Sequence, residues 1–144
     1  MHNLEKMKVL VVEDNPNDVT IIKRAMRKSD AKCELYFAHD GEEALNMLYR
    51  TGEYQDTPRP DLILLDINLP KINGLEVLAK IKEDAHLRRI PVIVLTISER
   101  EEDMVKAYDS GAASYMTKPV DSKDFERLLQ TVQDYWRIAQ ISPK

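Results

Sequence analysis

The apolar residues of this chain fall into two patterns. Short unbroken runs alternate with longer stretches in which apolar residues recur every three or four positions. Lys8–Val12 carries the first run and closes on Glu13-Asp14. Leu62-Ile-Leu-Leu65 is the second and closes on Asp66. Ile90–Thr96 is the third and ends in a hydroxyl, and Ala113–Met116 is shorter and leads to Thr117-Lys118-Pro119. Cys33–Ala38 is a weaker run of the same kind. The Leu62 run is too short for a helix and is bounded by Pro60 on one side and by Pro70 and Asn73-Gly74 on the other. Such runs predict strands buried on both faces, as in a parallel sheet.

Between the runs the spacing is helical. Asn15-Pro16 reads as an N-cap followed by proline at the first helical position, with Asp18 favoured by the helix dipole and Val19, Ile22, Ala25 and Met26 on one face. Asp40-Gly-Glu-Glu43 forms a capping box before Ala44, Leu45 and Leu48. Asn73-Gly74 opens a helix bearing Leu75, Leu78 and Ile81. Ser98 and Glu101 predict another box, before Met104, Val105 and Tyr108, with Gly111 as the stop. Asp121 caps a last helix whose face holds Phe125, Leu128, Leu129, Val132, Trp136 and Ala139, while Ile138 and Ile141 fall on its opposite side. The connection Thr51–Arg59 is longer than usual for a helix-to-strand loop. Five strands separated by single helices predict an α/β fold with a parallel sheet, right-handed crossovers and three layers.

Composition adds bounds. At 144 residues the expectation is one domain, 1–144 with its core at about 7–140, and no output domain. The hydrophobic share is 43%, enough for a core, and the net charge of -4 argues against nucleic acid. Basic runs reach only two residues, as at Arg88-Arg89. Cys33 is the sole cysteine, so an internal disulfide and a cysteine-pair metal site are excluded, and it reads as a small buried hydrophobe. No apolar run has the length of a membrane span, and no signal peptide opens the chain, so a cytoplasmic location is expected.

Parallel strands share one carboxyl edge, where open α/β sheets bind ligands. Glu13-Asp14, Asp66, Thr96 and Lys118 would all meet there. Three carboxylates in one cleft repel, and a hard divalent cation relieves the repulsion. Oxygen donors without nearby His or Cys favour Mg²⁺. No Ser-His pair, glycine-rich phosphate loop or dinucleotide fingerprint accompanies the cluster. The set suits phosphoryl acceptance, with Asp66 as nucleophile, Mg²⁺ and Lys118 as an electrostatic clamp and Thr96 as hydrogen-bond donor. Two other readings stand beside it. One is a Mg²⁺-dependent phosphatase with an aspartyl-phosphate intermediate, against which Asn68 replaces the acid/base Asp such enzymes commonly carry. The other is a phosphorylation-independent interaction module.

The residues also resemble a family. Glu13-Asp14, Asp66-Ile-Asn-Leu-Pro70 with Gly74, Thr96 and Lys118-Pro119, in that order, are similar to the receiver domains of bacterial and archaeal two-component response regulators. The resemblance implies a flavodoxin-like (βα)5 fold with strand order 2-1-3-4-5 and phosphorylation of Asp66 by a sensor histidine kinase. It also implies Mg²⁺ held by Asp14, Asp66 and the Asn68 backbone carbonyl, with Glu13 helping through water. It implies a cis Lys118-Pro119 peptide and a Thr96–Tyr115 switch. Glu13-Asp-Asn-Pro-Asn-Asp18, Arg59-Pro60-Asp61, Leu87-Arg-Arg-Ile-Pro91 and Lys118-Pro-Val-Asp121 resemble the stand-alone receivers partnered with cyanobacterial phytochromes. That implies a phytochrome-like kinase and output by protein contact or onward phosphotransfer to a downstream protein the sequence does not name. Ile138 and Ile141 suggest a homodimer through the last helix. Two positions depart from the family pattern. Ile97 stands where receivers usually carry a small residue, with slower donor entry or hydrolysis as the expected effect. Leu69 replaces the commoner Met, a near-neutral packing change.

Overall fold

The computed structural model describes residues 6–28, 33–97, 100–118 and 122–141, with the side chains of the last helix described at 123–132 and 134. Strands and helices alternate: β1 (Met7–Val12), α1 (Pro16–Lys28), β2 (Cys33–Ala38), α2 (Gly41–Tyr49), β3 (Leu62–Asp66), α3 (Gly74–Glu83), β4 (Val92–Thr96), α4 (Glu101–Asp109), β5 (Ser114–Thr117) and α5 (Ser122–Ile141). The strands form one parallel sheet in the order β2-β1-β3-β4-β5, as expected. Every residue of β3 and β4 is buried, which is why both read as continuous apolar runs.

Alternation along the strands divides the core in two. Leu10, Val12, Ile63, Leu65, Val92 and Val94 face α2, α3 and α4, meeting Ala44, Leu48, Val77, Leu78, Ile81 and Ala107. Val9, Val11, Leu62, Leu64, Ile93 and Leu95 face α1 and α5, meeting Ile22, Ala25, Met26, Phe125 and Leu129. Three layers result.

The caps follow the sequence closely. Asn15 Oδ1 accepts from the N–H groups of Asn17 (2.8 Å) and Asp18 (3.3 Å). Asp40 Oδ1 accepts from Glu43 N–H at 2.7 Å, while Glu43 Oε1 reaches back to His39 N–H at 2.7 Å, one residue beyond the usual box partner. Asn73 Oδ1 accepts from Leu75 N–H at 2.7 Å. The long connection folds into a 3-10 turn, Gly52–Tyr54, and the Tyr54 hydroxyl donates to Glu43 Oε2 at 2.7 Å, strapping the loop onto α2.

Three expectations change. α4 starts at Glu101 with Arg100 at its N-cap, later than a box at Ser98 would place it; Ser98 itself lies outside the described residues. Within α4, Val105 and Tyr108 are 50% and 47% exposed, and the small Ala107 is what turns to the sheet. The helix covers the four-residue β5, so it sits close and offers little area. Cys33 is half-buried, not fully buried, because β2 is an edge strand. Burial by the edge of the sheet, with the Asp61 charge adding, still pushes its thiol up to about 11. Asp121 and the side chains of Trp136, Ala139, Ile138 and Ile141 lie outside the described residues.

Candidate functional site

Ladder register brings the polar strand ends together. Asp66 pairs with Leu95, and Thr96 with Thr117. Pairing persists one residue further: Ile67 N–H donates to Leu95 O at 3.1 Å and Lys118 N–H to Thr96 O at 2.8 Å. Glu13 N–H donates to Ala38 O at 3.0 Å, fixing the first carboxylate just past β1. Among the described residues, Glu13, Asp66 and Thr96 are the polar or charged residues buried as a whole, all at this edge. Polar and ionisable groups are seldom buried, so the gathering of three at one edge marks a site.

The loop after Asp66 is held tightly. Asn68 N–H donates to Asp66 Oδ1 at 3.0 Å, which keeps the Asn68 peptide beside the carboxylate. Gly74 N–H donates to Ile67 O at 2.9 Å, closing the loop on itself. A Cβ at position 74 would overlap the Asp66 backbone oxygen and Ile67 Cα, so only glycine lets α3 begin this close. Lys71 adopts a left-handed φ of 66° and reaches Asp40 (3.4 Å) and Glu42 (3.5 Å) at the start of α2. Lys71 is exposed, so solvent screens both pairs and they add little to stability.

Lys118 is the hub. Its Nζ donates to Asp66 Oδ2 and to Asp18 Oδ2, both at 3.0 Å. It also lies 2.5 Å from Glu13 Oε1, in a buried ion pair. The Lys118 side chain is 7% exposed. Burial would push its pKa down, but the bonds to Glu13, Asp66 and Asp18 outweigh it, and the ammonium is held above its usual range. Glu13 is pushed up to about 7, above all by burial; Lys118 opposes the rise, and the adjacent Asp66 adds to it.

Carboxylate oxygens of Glu13, Asp14 and Asp66 lie within 4.8 Å of one another. Glu13 and Asp66 are buried and Asp14 is exposed, so the group opens to solvent on one side. Glu13 Oε1 is fully buried, with the Lys118 ammonium against it. An all-oxygen set of three carboxylates, open to solvent on one side, fits a hard divalent cation.

Thr96 is 1% exposed at the end of β4. Tyr115 pairs with Val94 in the ladder and is half-buried against the core on the α2–α3–α4 face. A cleft of about 450 Å³ opens beside Thr96, with Asn68, Leu75, Ile97 and Arg100 in its walls. Ile97, 72% exposed, stands at that cleft. The expected cis peptide involves Pro119, outside the described residues. Asp18 joins the site without having been expected there. Its position in the first turn of α1 was accounted for by the helix dipole alone, and the contact with Lys118, 100 positions away, leaves no local signal.

Comparison with known proteins agrees with the fold. The response regulator Rcp1 of Synechocystis sp. is 41% identical over 128 residues, covering 89% of this chain and 87% of Rcp1. The structure of the Mn²⁺-bound form of Rcp1 superposes with a TM-score of 0.77 at 41% identity, covering 90% of this chain and 94% of that one. The phosphorylated cyanobacterial phytochrome response regulator RcpA gives a TM-score of 0.79 at 41% identity, covering 92% of this chain and 94% of that one. The model of the response regulator receiver domain matches residues 9–133, a span containing the carboxyl ends of all five strands, and the chain belongs to the response regulator receiver domain family.

Proposed function

We propose that this chain is a single receiver domain, with its core at about 7–140, that accepts a phosphoryl group on Asp66 from a sensor histidine kinase. The observation that carries the reading is the Lys118–Asp66 pair at 3.0 Å, set among the carboxylates of Glu13 and Asp14. Response regulator receivers are signalling proteins, and this role needs no output chemistry from the domain itself.

In this reading an Asp66 carboxylate oxygen attacks the phosphorus of a phosphohistidine. The O–P bond forms as the P–N bond breaks, and the imidazole nitrogen leaves with the electron pair. Lys118 donates to a phosphoryl oxygen, and Asn68 N–H steadies the attacking carboxylate. Asp14, Asp66 and the Asn68 carbonyl would hold Mg²⁺, with Glu13 assisting through water. When bound, the cation offsets charge on the phosphoryl oxygens. The Thr96 hydroxyl then turns to the phosphoryl group and Tyr115 follows it inward, so that phosphorylation biases a two-state equilibrium.

The similarity to Rcp1 and RcpA supports a phytochrome-like kinase as the phosphodonor. Output passes to a downstream protein by contact or phosphotransfer, and self-association runs through α5. No helix among the described residues is long and apolar enough to cross a membrane. A cytoplasmic location completes the proposal.

The test is an intact-mass time course with Mg²⁺ and acetyl phosphate. The expected result is a gain of one phosphoryl group that saturates, and that is absent in Asp66→Asn. Sustained phosphate release over many turnovers would instead establish the phosphatase. No uptake from small donors or from any histidine kinase would leave an interaction module.

A further inference from the structure

Lys118 ends in an ammonium with three protons and no fixed direction of its own. Its stem has four rotatable bonds, so its orientation must come from its partners. Carboxylates on three different elements surround it: Glu13 just after β1, Asp18 in the first turn of α1, and Asp66 at the end of β3. They are not equivalent. Glu13 and Asp66 belong to the carboxylate group that would hold the cation, whereas Asp18 stands outside it and accepts a hydrogen bond from Lys118 at 3.0 Å. Asp66 is the group that changes when it is phosphorylated. Asp18 is therefore the carboxylate partner of Lys118, among the described residues, that lies outside the cation-binding group and stays the same before and after the reaction.

We propose that Asp18 is a positioning residue for phosphoryl transfer: it orients the Lys118 ammonium from α1 so that one proton is already aimed at the incoming phosphoryl oxygen. The inference rests on Asp66 being the phosphoacceptor. A carboxylate in the first turn of a helix also has an ordinary explanation, the helix dipole. That explanation does not account for the Asp18 side chain being three-quarters buried, at 23% exposure, and bonded to a lysine 100 positions away. A pre-aimed ammonium loses little freedom as charge builds on the phosphoryl group, which is the way fixed donors lower a barrier.

The two roles of Asp18 separate by substitution. Asp18→Asn removes the charge and keeps an oxygen able to accept from Lys118. Asp18→Ala removes both. Either change weakens the dipole interaction equally, so a dipole role alone lowers stability to the same extent in both and leaves the rates of the folded proteins unchanged. Phosphoryl uptake from acetyl phosphate in Mg²⁺ is followed by intact mass over a range of donor concentrations. The maximal rate is expected to fall about tenfold in Asp18→Ala, as for one charge-assisted hydrogen bond lost from a group that keeps others. Asp18→Asn is expected to recover most of that loss. The KM for the anionic donor does not rise in either, because a repelling charge has been removed.

A second measurement needs no phosphodonor. Labelling of Lys118 by an amine-acylating reagent, located by peptide mass, rises several-fold in Asp18→Ala over the wild type, relative to the exposed Lys71. Equal maximal rates in all three proteins, a defect confined to KM, or unchanged Lys118 labelling each overturn the inference. A wild-type protein that takes up no phosphoryl group overturns the phosphoacceptor reading, and the positioning role with it.

Discussion

Lys118 Nζ and Asp66 Oδ2 stand 3.0 Å apart although 52 positions separate them in the chain. The contact spans the ends of β3 and β5, with β4 between them. It is buried, so its removal is not like the loss of a surface ion pair. Lys118→Ala leaves Glu13 and Asp66 facing each other without a counter-charge. We expect a loss of about 3 kcal/mol in EDTA, in the range for breaking a buried pair, with partial recovery in Mg²⁺. Urea unfolding in the two media checks this; equal stability of variant and wild type in EDTA contradicts it. Phosphoryl uptake persists at a reduced rate in this variant, and partner binding no longer responds to it.

Gly74→Ala tests the close approach of α3 to the acceptor loop. The added methyl meets backbone rather than a movable side chain. Overpacking of this kind costs about 2 kcal/mol and displaces the loop that carries Asp66 and Asn68. Both Tm and the rate of phosphoryl uptake should fall. A variant with wild-type values of both would show that the helix start has room to move.

Asp40→Ala removes the N-cap of α2 and one partner of Lys71. The expected loss at neutral pH is about 1 kcal/mol. The Asp40 carboxyl is held below its ordinary value, above all by the Glu43 N–H bond; burial opposes the shift and Lys71 adds to it. A depressed folded pKa gives stability that is present above the unfolded value and lost as pH falls through the folded one. The gap between variant and wild type should therefore shrink below about pH 4, an estimate from ordinary Asp titration. A gap that is constant from pH 7 to 3 contradicts the assignment.

Ile97→Ala addresses the residue that departs from the family pattern. Its side chain is 72% exposed beside the cleft next to Thr96, so stability should change by less than about 0.5 kcal/mol. Uptake from acetyl phosphate and loss of the phosphoryl group should both speed up, by a few-fold, on the order of what one steric obstruction at a pocket mouth is worth. Stopped-flow and intact-mass decay curves report the two rates. Unchanged rates would mean that Ile97 does not restrict access.

The sheet was readable because β1, β3 and β4 are buried on both faces, and nothing but an unbroken apolar run survives there. The residues that follow those runs, Glu13, Asp66 and Thr96, were readable for the same reason: a polar group at the end of a buried strand stands out. α4 was not readable in detail. Its Met104, Val105 and Tyr108 have helical spacing, yet the sheet beneath is a four-residue strand, and Ala107 makes the contact while Val105 and Tyr108 stay in solvent. Asp18 was hidden for another reason. Its local position has a sufficient local explanation, and the partner that gives it a second role arrives through the fold. Lys71 is similar: its left-handed backbone and its reach to Asp40 and Glu42 depend on how the β3–α3 loop meets α2.

The account turns on the identity of the acceptor. After incubation with Mg²⁺ and acetyl phosphate, borohydride reduces an aspartyl phosphate to homoserine, which peptide mass spectrometry locates in the chain. Homoserine at position 66, dependent on both donor and Mg²⁺ and absent at Asp14 and Asp18, is the predicted result. Homoserine at another carboxylate, or at none while the protein gains a phosphoryl group, would contradict it.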